Sequence, residues 1–212
     1  MPARTLALLG ATGRTGRRIL DYALADGHRV RALARDPAKL APFAHPALTV
    51  LPGDATDPAA VDALVDGADA VLSALGGGTT AAPGTARSDG ARHAAAAMQR
   101  RGLTRFVGVA GGGILDLPGV GLRHERPGYP EAFRLVSREH LRTWHVLRDT
   151  PLAWTLVCTG DILPGERTRT YRELPDLMPD GGRRISCEDL ADFVLREAVE
   201  TRYPARRVGL AY

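Results

Sequence analysis

Short, mainly apolar runs recur along the chain, and longer stretches of helical periodicity separate them. The runs are Leu6–Leu9, His28–Ala34, Leu48–Leu51, Ala68–Ala74, Arg105–Ala110 and Trp154–Cys158. Their length and their glycine, proline or charged borders predict six strands. The intervening stretches predict helices over Arg17–Ala25, Pro58–Asp66, Ala86–Arg101 and Pro130–Asp149. Asp57 stands at an N-cap position with Pro58 at the first helical position, and Gly102 follows the third helix as a C′ residue. Near the end, Arg184–Ser186 predicts a short strand and Val208–Ala211 a last one. Between them, Glu188–Glu200 carries an apolar stripe at Leu190, Phe193, Val194 and Ala198. Ser186 can cap that helix, with Asp189 three residues on in a capping-box-like arrangement.

Strands that alternate with helices imply an α/β fold, a Rossmann-type doubly wound parallel sheet with helices on both faces. The expectation is one dinucleotide-binding domain over residues 1–212 with a small C-terminal substrate-side extension. Two segments break the alternation, about 111–129 and 159–182, the first rich in glycine and both containing prolines. Each follows the carboxyl end of a strand, the edge at which open α/β sheets bind ligands. Long connections in a compact domain are commonly functional, so these two are expected to wall a substrate pocket.

The first strand runs into Gly10-Ala11-Thr12-Gly13-Arg14-Thr15-Gly16 and then a helix. Such a turn exposes backbone N–H groups at a helix start, where the helix dipole favours phosphate. Gly10 can make the tight turn, Gly13 lets a pyrophosphate approach the backbone, and Gly16 lets the helix lie close. Thr12, Arg14 and Thr15 complete the loop. A dinucleotide is therefore expected, with further contacts from Asp54 and Ala55 after the third strand. Ala74, Leu75 and Gly76 after the fourth, and Ala110 at the end of the fifth, complete the set.

The second strand ends in Arg35-Asp36-Pro37, about twenty residues after Gly16. An acidic residue there would hold ribose hydroxyls and select NAD; an arginine accommodates a 2′-phosphate and selects NADP. Arg35 has the fixed charge and forked donors that suit a phosphate, and Arg14 can reach it from the glycine loop. Asp36 is explained by capping the short helix after it. NADP is thus expected in preference to NAD.

Composition narrows the remaining classes. The 212 residues carry 28 basic and 24 acidic side chains, for a net charge of +4. The basic residues are scattered and make no case for nucleic acid. Two cysteines, Cys158 and Cys187, are too few for a disulfide framework and lack metal-ligand spacing, so no metal is expected. No apolar stretch approaches a membrane span, and the expectation is a cytoplasmic monomer or homodimer.

The motifs GATGRTG, Arg35-Asp36-Pro37, Gly53-Asp54 and Val71-Leu72-Ser73-Ala74-Leu75-Gly76 resemble those of atypical short-chain dehydrogenases/reductases. More narrowly the chain is similar to the NAD(P)H-binding group that holds flavin reductase/biliverdin-IXβ reductase and the NmrA-like regulators. Glu139-His140-Leu141-Arg142, Leu152–Val157 and Glu188–Phe193 extend the resemblance over nearly the whole chain. It implies an NADPH-dependent oxidoreductase or, alternatively, a non-catalytic NADP-binding redox sensor.

The departures from that pattern bear on the chemistry. Ordinary short-chain enzymes use a Tyr-x-x-x-Lys pair to move a proton to or from a substrate oxygen. The only lysine here is Lys39, and Arg35 stands four residues before it. The fifth strand ends in Ala110-Gly111-Gly112-Gly113, where such families often carry serines. Reduction of a flavin, quinone or similar planar acceptor needs no strong positioned acid, so that class is expected. If a side chain donates a proton, His140 is the first candidate, for a neutral-range pKa and because the resemblance places a histidine there. Tyr129 is the second. His124 and Glu125 lie in the glycine-rich segment, while Trp144 and His145 read as packing or surface.

Overall fold

The computed structural model describes residues 3–212; Met1 and Pro2 lie outside the described residues. The first half of the chain alternates as its pattern predicts. β1 (Thr5–Leu9) leads to α1 (Arg14–Ala25), then β2 (Arg29–Ala34), β3 (Leu48–Pro52), α2 (Pro58–Val65), β4 (Ala70–Ser73) and α3 (Ala86–Arg100). β5 (Arg105–Gly111) then opens an excursion, a small hairpin of β6 (Asp116–Leu117) and β7 (Gly121–Leu122). α4 (Arg134–Arg148) and β8 (Ala153–Thr159) restore the alternation. The rest is β9 (Asp161–Leu163), β10 (Arg172–Pro175), β11 (Arg184–Ser186), α5 (Cys187–Glu200) and β12 (Arg206–Ala211).

Eight strands form one sheet in the order β3-β2-β1-β4-β5-β8-β12-β10. All neighbours are parallel except β10, which runs antiparallel along β12. β1 sits inside the sheet, with Leu8 opposite Ala32 of β2 on one side and Leu72 of β4 on the other. Successive side chains of a strand point to opposite faces. Leu6 and Leu8 accordingly enter the core beneath α1 and α5, while Ala7 and Leu9 enter the core beneath α2, α3 and α4. Burial on both faces is why the central strands read as continuous apolar runs.

β10 was not visible in the chain's pattern. Its sequence, Arg-Glu-Leu-Pro, is what a sheet edge tolerates, since charges and proline block further pairing. The segment expected to be an open loop over 159–182 is therefore partly sheet. Its middle is strapped to α5: Asp189 accepts from the Thr168 and Arg169 N–H groups and the Thr168 hydroxyl, and Asp192 from Arg167 and Tyr171. Ser186 caps α5 through the Asp189 N–H at 2.9 Å, as expected. The reciprocal half of a capping box is missing because the Asp189 carboxylate is spent on that strap. α4 begins at Arg134 rather than Pro130, after a 3-10 turn over Glu131–Phe133.

A buried ion pair ties the start of β5 to the last turns of α5. Arg105 Nη2 lies 2.8 Å from Glu197 Oε1, with both side chains almost wholly enclosed. Glu197 also accepts from Thr155 and from the Tyr203 N–H. Removing one member leaves the other charge buried without compensation, which typically costs about 3–5 kcal/mol. Glu197→Ala is expected to lower the unfolding free energy by about that amount in urea titrations. A loss below about 1 kcal/mol would mean that the pair is not the anchor it resembles.

Candidate functional site

The parallel strands end together, and the loops after β1, β2, β3 and β4 line a cleft of about 470 Å3 at that edge. Gly10, Thr12 and Gly13 form one wall, Arg35, Asp54 and Ala55 another, and Ala74, Leu75 and Gly76 a third. A separate cavity of about 360 Å3, between Val65 and Leu103, lies at the opposite end of β4 and β5, away from these loops.

The three glycines of the turn have different physical reasons. Gly10 has φ +83°, and a Cβ there would sit 2.6 Å from the Ala74 carbonyl oxygen, so only glycine closes this turn against β4. A Cβ on Gly16 would collide with the Gly10 carbonyl. Gly13 differs: its backbone is ordinary and its nearest neighbour to a Cβ is Gly10 O at 3.3 Å. A Cβ there would ask that carbonyl to give by only a few tenths of an ångström, and Gly13 lines the cleft.

α1 begins at Gly13 without a side-chain cap. α2 and α5 are capped by Asp57 and Ser186, and Glu139 accepts from the Ser88 N–H in the first turn of α3. The first-turn N–H groups of α1, at Arg14, Thr15 and Gly16, have no intrahelical acceptor. A diphosphate fits them in charge and in donor geometry.

The other expected contacts divide. Asp54 Oδ1 accepts from the Thr56 N–H and hydroxyl, both at 2.9 Å, which holds its carboxyl below the usual carboxylate range. Its second oxygen lies 3.9 Å from Arg35 Nε, and the Arg35 side chain is 81% exposed. Asp36 is occupied, capping the Ala38 N–H, as its position before a short helix implies. Arg14 is exposed at the start of α1 but does not line the cleft. Thr15 is buried behind the turn with its hydroxyl 3.4 Å from the Cys187 thiol, so its side chain faces α5 and only its backbone is available. Gly16 is also buried behind the turn, and Ala110 is a core residue outside the cleft lining.

His140 and Tyr129 lie beyond the end of β5, outside that lining. The His140 ring rests on Gly111: a Cβ at Gly111 would stand 2.9 Å from His140 Cδ2. Tyr129 and Ser137 share a hydrogen bond of 2.9 Å. Their hydroxyls stand over Gly113, within 2.7 and 2.5 Å of where its Cβ would be. Hydroxyls absent from the strand are thus delivered by Ser137 of α4 and by Tyr129, five residues before that helix begins. Ser137 was missed, although its spacing of three from His140 puts both on one helical face. His124 is tied to the Gly113 carbonyl at 3.0 Å and Glu125 to the Leu122 N–H, so both are engaged within the excursion. Trp144 packs under the Arg207 guanidinium at 3.9 Å, in keeping with the packing role expected for it.

The pKa expectation for His140 is corrected. Burial, reinforced by the positive charge of Arg87, lowers its pKa to about 3. The imidazole is neutral through the physiological range, and its Nδ1 is buried without a hydrogen-bond partner. Glu139 Oε2 and Thr159 Oγ1 are the other buried side-chain polar atoms without a hydrogen-bond partner among the described residues, Glu139 Oε2 lying 3.6 Å from Arg142 Nη1. Thr159 pairs in register with Gly111, so the orphaned His140 and Thr159 atoms belong to residues flanking one point at the end of β5.

Fold and cleft together define a dinucleotide-binding α/β protein. The NAD(P)H-binding family profile matches residues 10–201, and the chain belongs to that family. Solved structures agree in shape. A Burkholderia pseudomallei protein provisionally described as exported is 29% identical, with a TM-score of 0.84, covering 99% of this chain and 100% of its own. A Streptococcus pneumoniae protein provisionally named an NADH-flavin reductase is 25% identical, with a TM-score of 0.84 and 99% of each chain covered. A Bacteroides thetaiotaomicron protein provisionally named an epimerase is 24% identical, with a TM-score of 0.86 over 100% of this chain and 98% of its own, and shares the fold.

Two outcomes follow from the site. Gly13→Ala should fold with a stability loss of at most about 1 kcal/mol yet lose dinucleotide binding, whereas Gly10→Ala should be destabilised by several times that. Calorimetric titration beside thermal melts separates them, and tight binding by the Gly13 variant would refute the close approach. Because the folded pKa of His140 lies below its ordinary value of 6.5, the unfolded chain takes up the proton first as pH falls. Stability is full above 6.5 and declines as pH drops toward 3. His140→Gln should flatten the pH dependence of unfolding between about pH 4 and 7; an unchanged slope would contradict the buried neutral imidazole.

Proposed function

We propose that this protein is an NADPH-dependent oxidoreductase that passes hydride to a flavin, a quinone or a similar planar acceptor. The observation that carries the cofactor half is the uncapped first turn of α1 beside an exposed Arg35, with the rival Asp36 already committed to its own helix. Arg35 and the exposed Arg14 would take a 2′-phosphate between them. Asp54 and Ala55 would border the adenine, and the backbone from Ala74 to Gly76 would pass the ribose. When bound, the reduced nicotinamide supplies the hydride.

The acceptor half rests on the end of β5. Gly111, Gly112 and Gly113 let the His140 ring, Met178 and the Tyr129–Ser137 hydroxyl pair pack directly on the backbone there, so those side chains would form the wall. A flat molecule suits such a wall, and the chain's contribution is orientation and exclusion of water. With a pKa near 3, His140 acts as a neutral hydrogen-bonding ring instead of an imidazolium acid. The proton then comes from water or through the Tyr129 hydroxyl. The name of the Streptococcus pneumoniae relative agrees with a flavin as acceptor. A cytoplasmic location belongs to the same reading; no helix among the described residues is long and apolar enough to cross a membrane.

Oxidation of NADPH and NADH with a panel of flavins and quinones tests the reading. NADPH should be preferred, and at least one planar acceptor turned over. Arg35→Ala should weaken NADP+ about 10- to 100-fold, the worth of one hydrogen bond to a charged group, and leave NAD+ almost unchanged. Equal or tighter NAD+ binding by the unaltered protein would overturn the Arg35 assignment. Tight NADP+ binding without turnover of any acceptor would instead support a redox-sensing regulator.

A further inference from the structure

We infer that Arg87 recognises an anionic group on the acceptor, so that the substrate is a planar molecule bearing a carboxylate or phosphate. This rests on the reductase reading above. Arg87 is the second residue of α3 and is half-buried. Its one side-chain hydrogen bond among the described residues is a long one, Nη1 to the Pro83 carbonyl at 3.5 Å. Among the described residues no carboxylate stands within ion-pair distance of it. The buried Arg105 and Arg207, by contrast, are paired with Glu197 and Asp116 at 2.8 Å each.

The compensating charge for Arg87 is Glu139, whose Oε1 is hydrogen-bonded and whose Oε2 lies 3.6 Å from Arg142 Nη1. Glu139 Oε1 accepts from the Ser88 N–H at 2.9 Å and the Ser88 hydroxyl at 2.8 Å. The charge of Glu139 supports the guanidinium from a distance, countering the effect of burial on it. The guanidinium fork itself is left almost empty. A partly desolvated guanidinium without a bidentate partner is costly, and a ligand carboxylate or phosphate would fill it.

Its position selects the acceptor side. Arg87 Nη2 lies 4.0 Å from the Cβ position of Gly76, after β4, and Arg87 directly follows Thr85 and Ala86, which line the far end of the cleft. In the other direction its charge is felt by His140, whose ring rests on Gly111 at the end of the neighbouring β5. The anion could in principle be the dinucleotide's own diphosphate, but the first turn of α1 already provides donors for that group.

The test uses NADP+-saturated protein and two flavins that differ by one phosphate, FMN and riboflavin. Flavin fluorescence quenching should show FMN bound at least about tenfold tighter than riboflavin. Arg87→Met, which keeps the apolar stem, should erase that difference by weakening FMN, with riboflavin and NADP+ affinities unchanged. Arg87→Lys should restore part of it. Independently of any flavin, inorganic phosphate should shift the His140 ring resonances in the saturated protein and not in Arg87→Met. Equal binding of the two flavins, or no phosphate response, overturns the inference. Weakened NADP+ binding by Arg87→Met also overturns it and assigns Arg87 to the dinucleotide. If no acceptor is turned over while the phosphate response and its loss persist, the reductase reading fails and the anion site stands. Turnover that is indifferent to acceptor charge and to Arg87→Met has the opposite meaning.

Discussion

The first turn of α1 is held open by backbone alone. A side-chain cap at its start would satisfy the N–H groups internally and occupy the space a phosphate needs. Gly13 supplies neither oxygen nor bulk there, and Gly10 and Gly16 let β1, β4 and α1 meet closely enough to fix the turn. The remainder of the sheet then determines what surrounds it. β2 brings Arg35 to one side, β3 brings Asp54, and β4 brings a run of backbone from Ala74 to Gly76.

Beyond β4 the construction changes. The cleft is lined mainly by loops that directly follow strands, while the groups beyond the end of β5 are held by α3 and α4. His140, Ser137 and Glu139 lie within one turn of α4, and Arg87 and Ser88 within the first turn of α3. Glu139 joins the two helices through Ser88. Glu139 and His140 of α4 and Thr159 of β8 each keep a buried polar atom without a hydrogen-bond partner among the described residues. Buried polar groups without partners are costly, so their concentration where a substrate would sit is itself a functional signal.

Legibility in the sequence follows the same division. The strands β1 to β5 and β8 could be read because the faces of the sheet are covered, which forces apolar runs. The glycine turn, Arg35 and Asp54 could be read because each lies within a few residues of a strand end. β10 could not, since an edge strand needs no apolar pattern. The excursion after β5 could not either. It is pinned by Arg207, which bonds the Ile114 carbonyl and Asp116 from about ninety residues away in the chain. The His140 pKa depends on enclosure and on Arg87, neither of which a one-dimensional pattern reports. Tyr129 was legible as a candidate, but Ser137 became one only because Gly113 lies beneath both hydroxyls.

Titration of isotopically labelled protein with NADP+, followed through its backbone amide resonances, tests the central claim most directly. The account predicts that the amides from Thr12 to Gly16 shift most, together with the Arg35 side-chain resonance. Saturable binding that leaves those amides unmoved would contradict it.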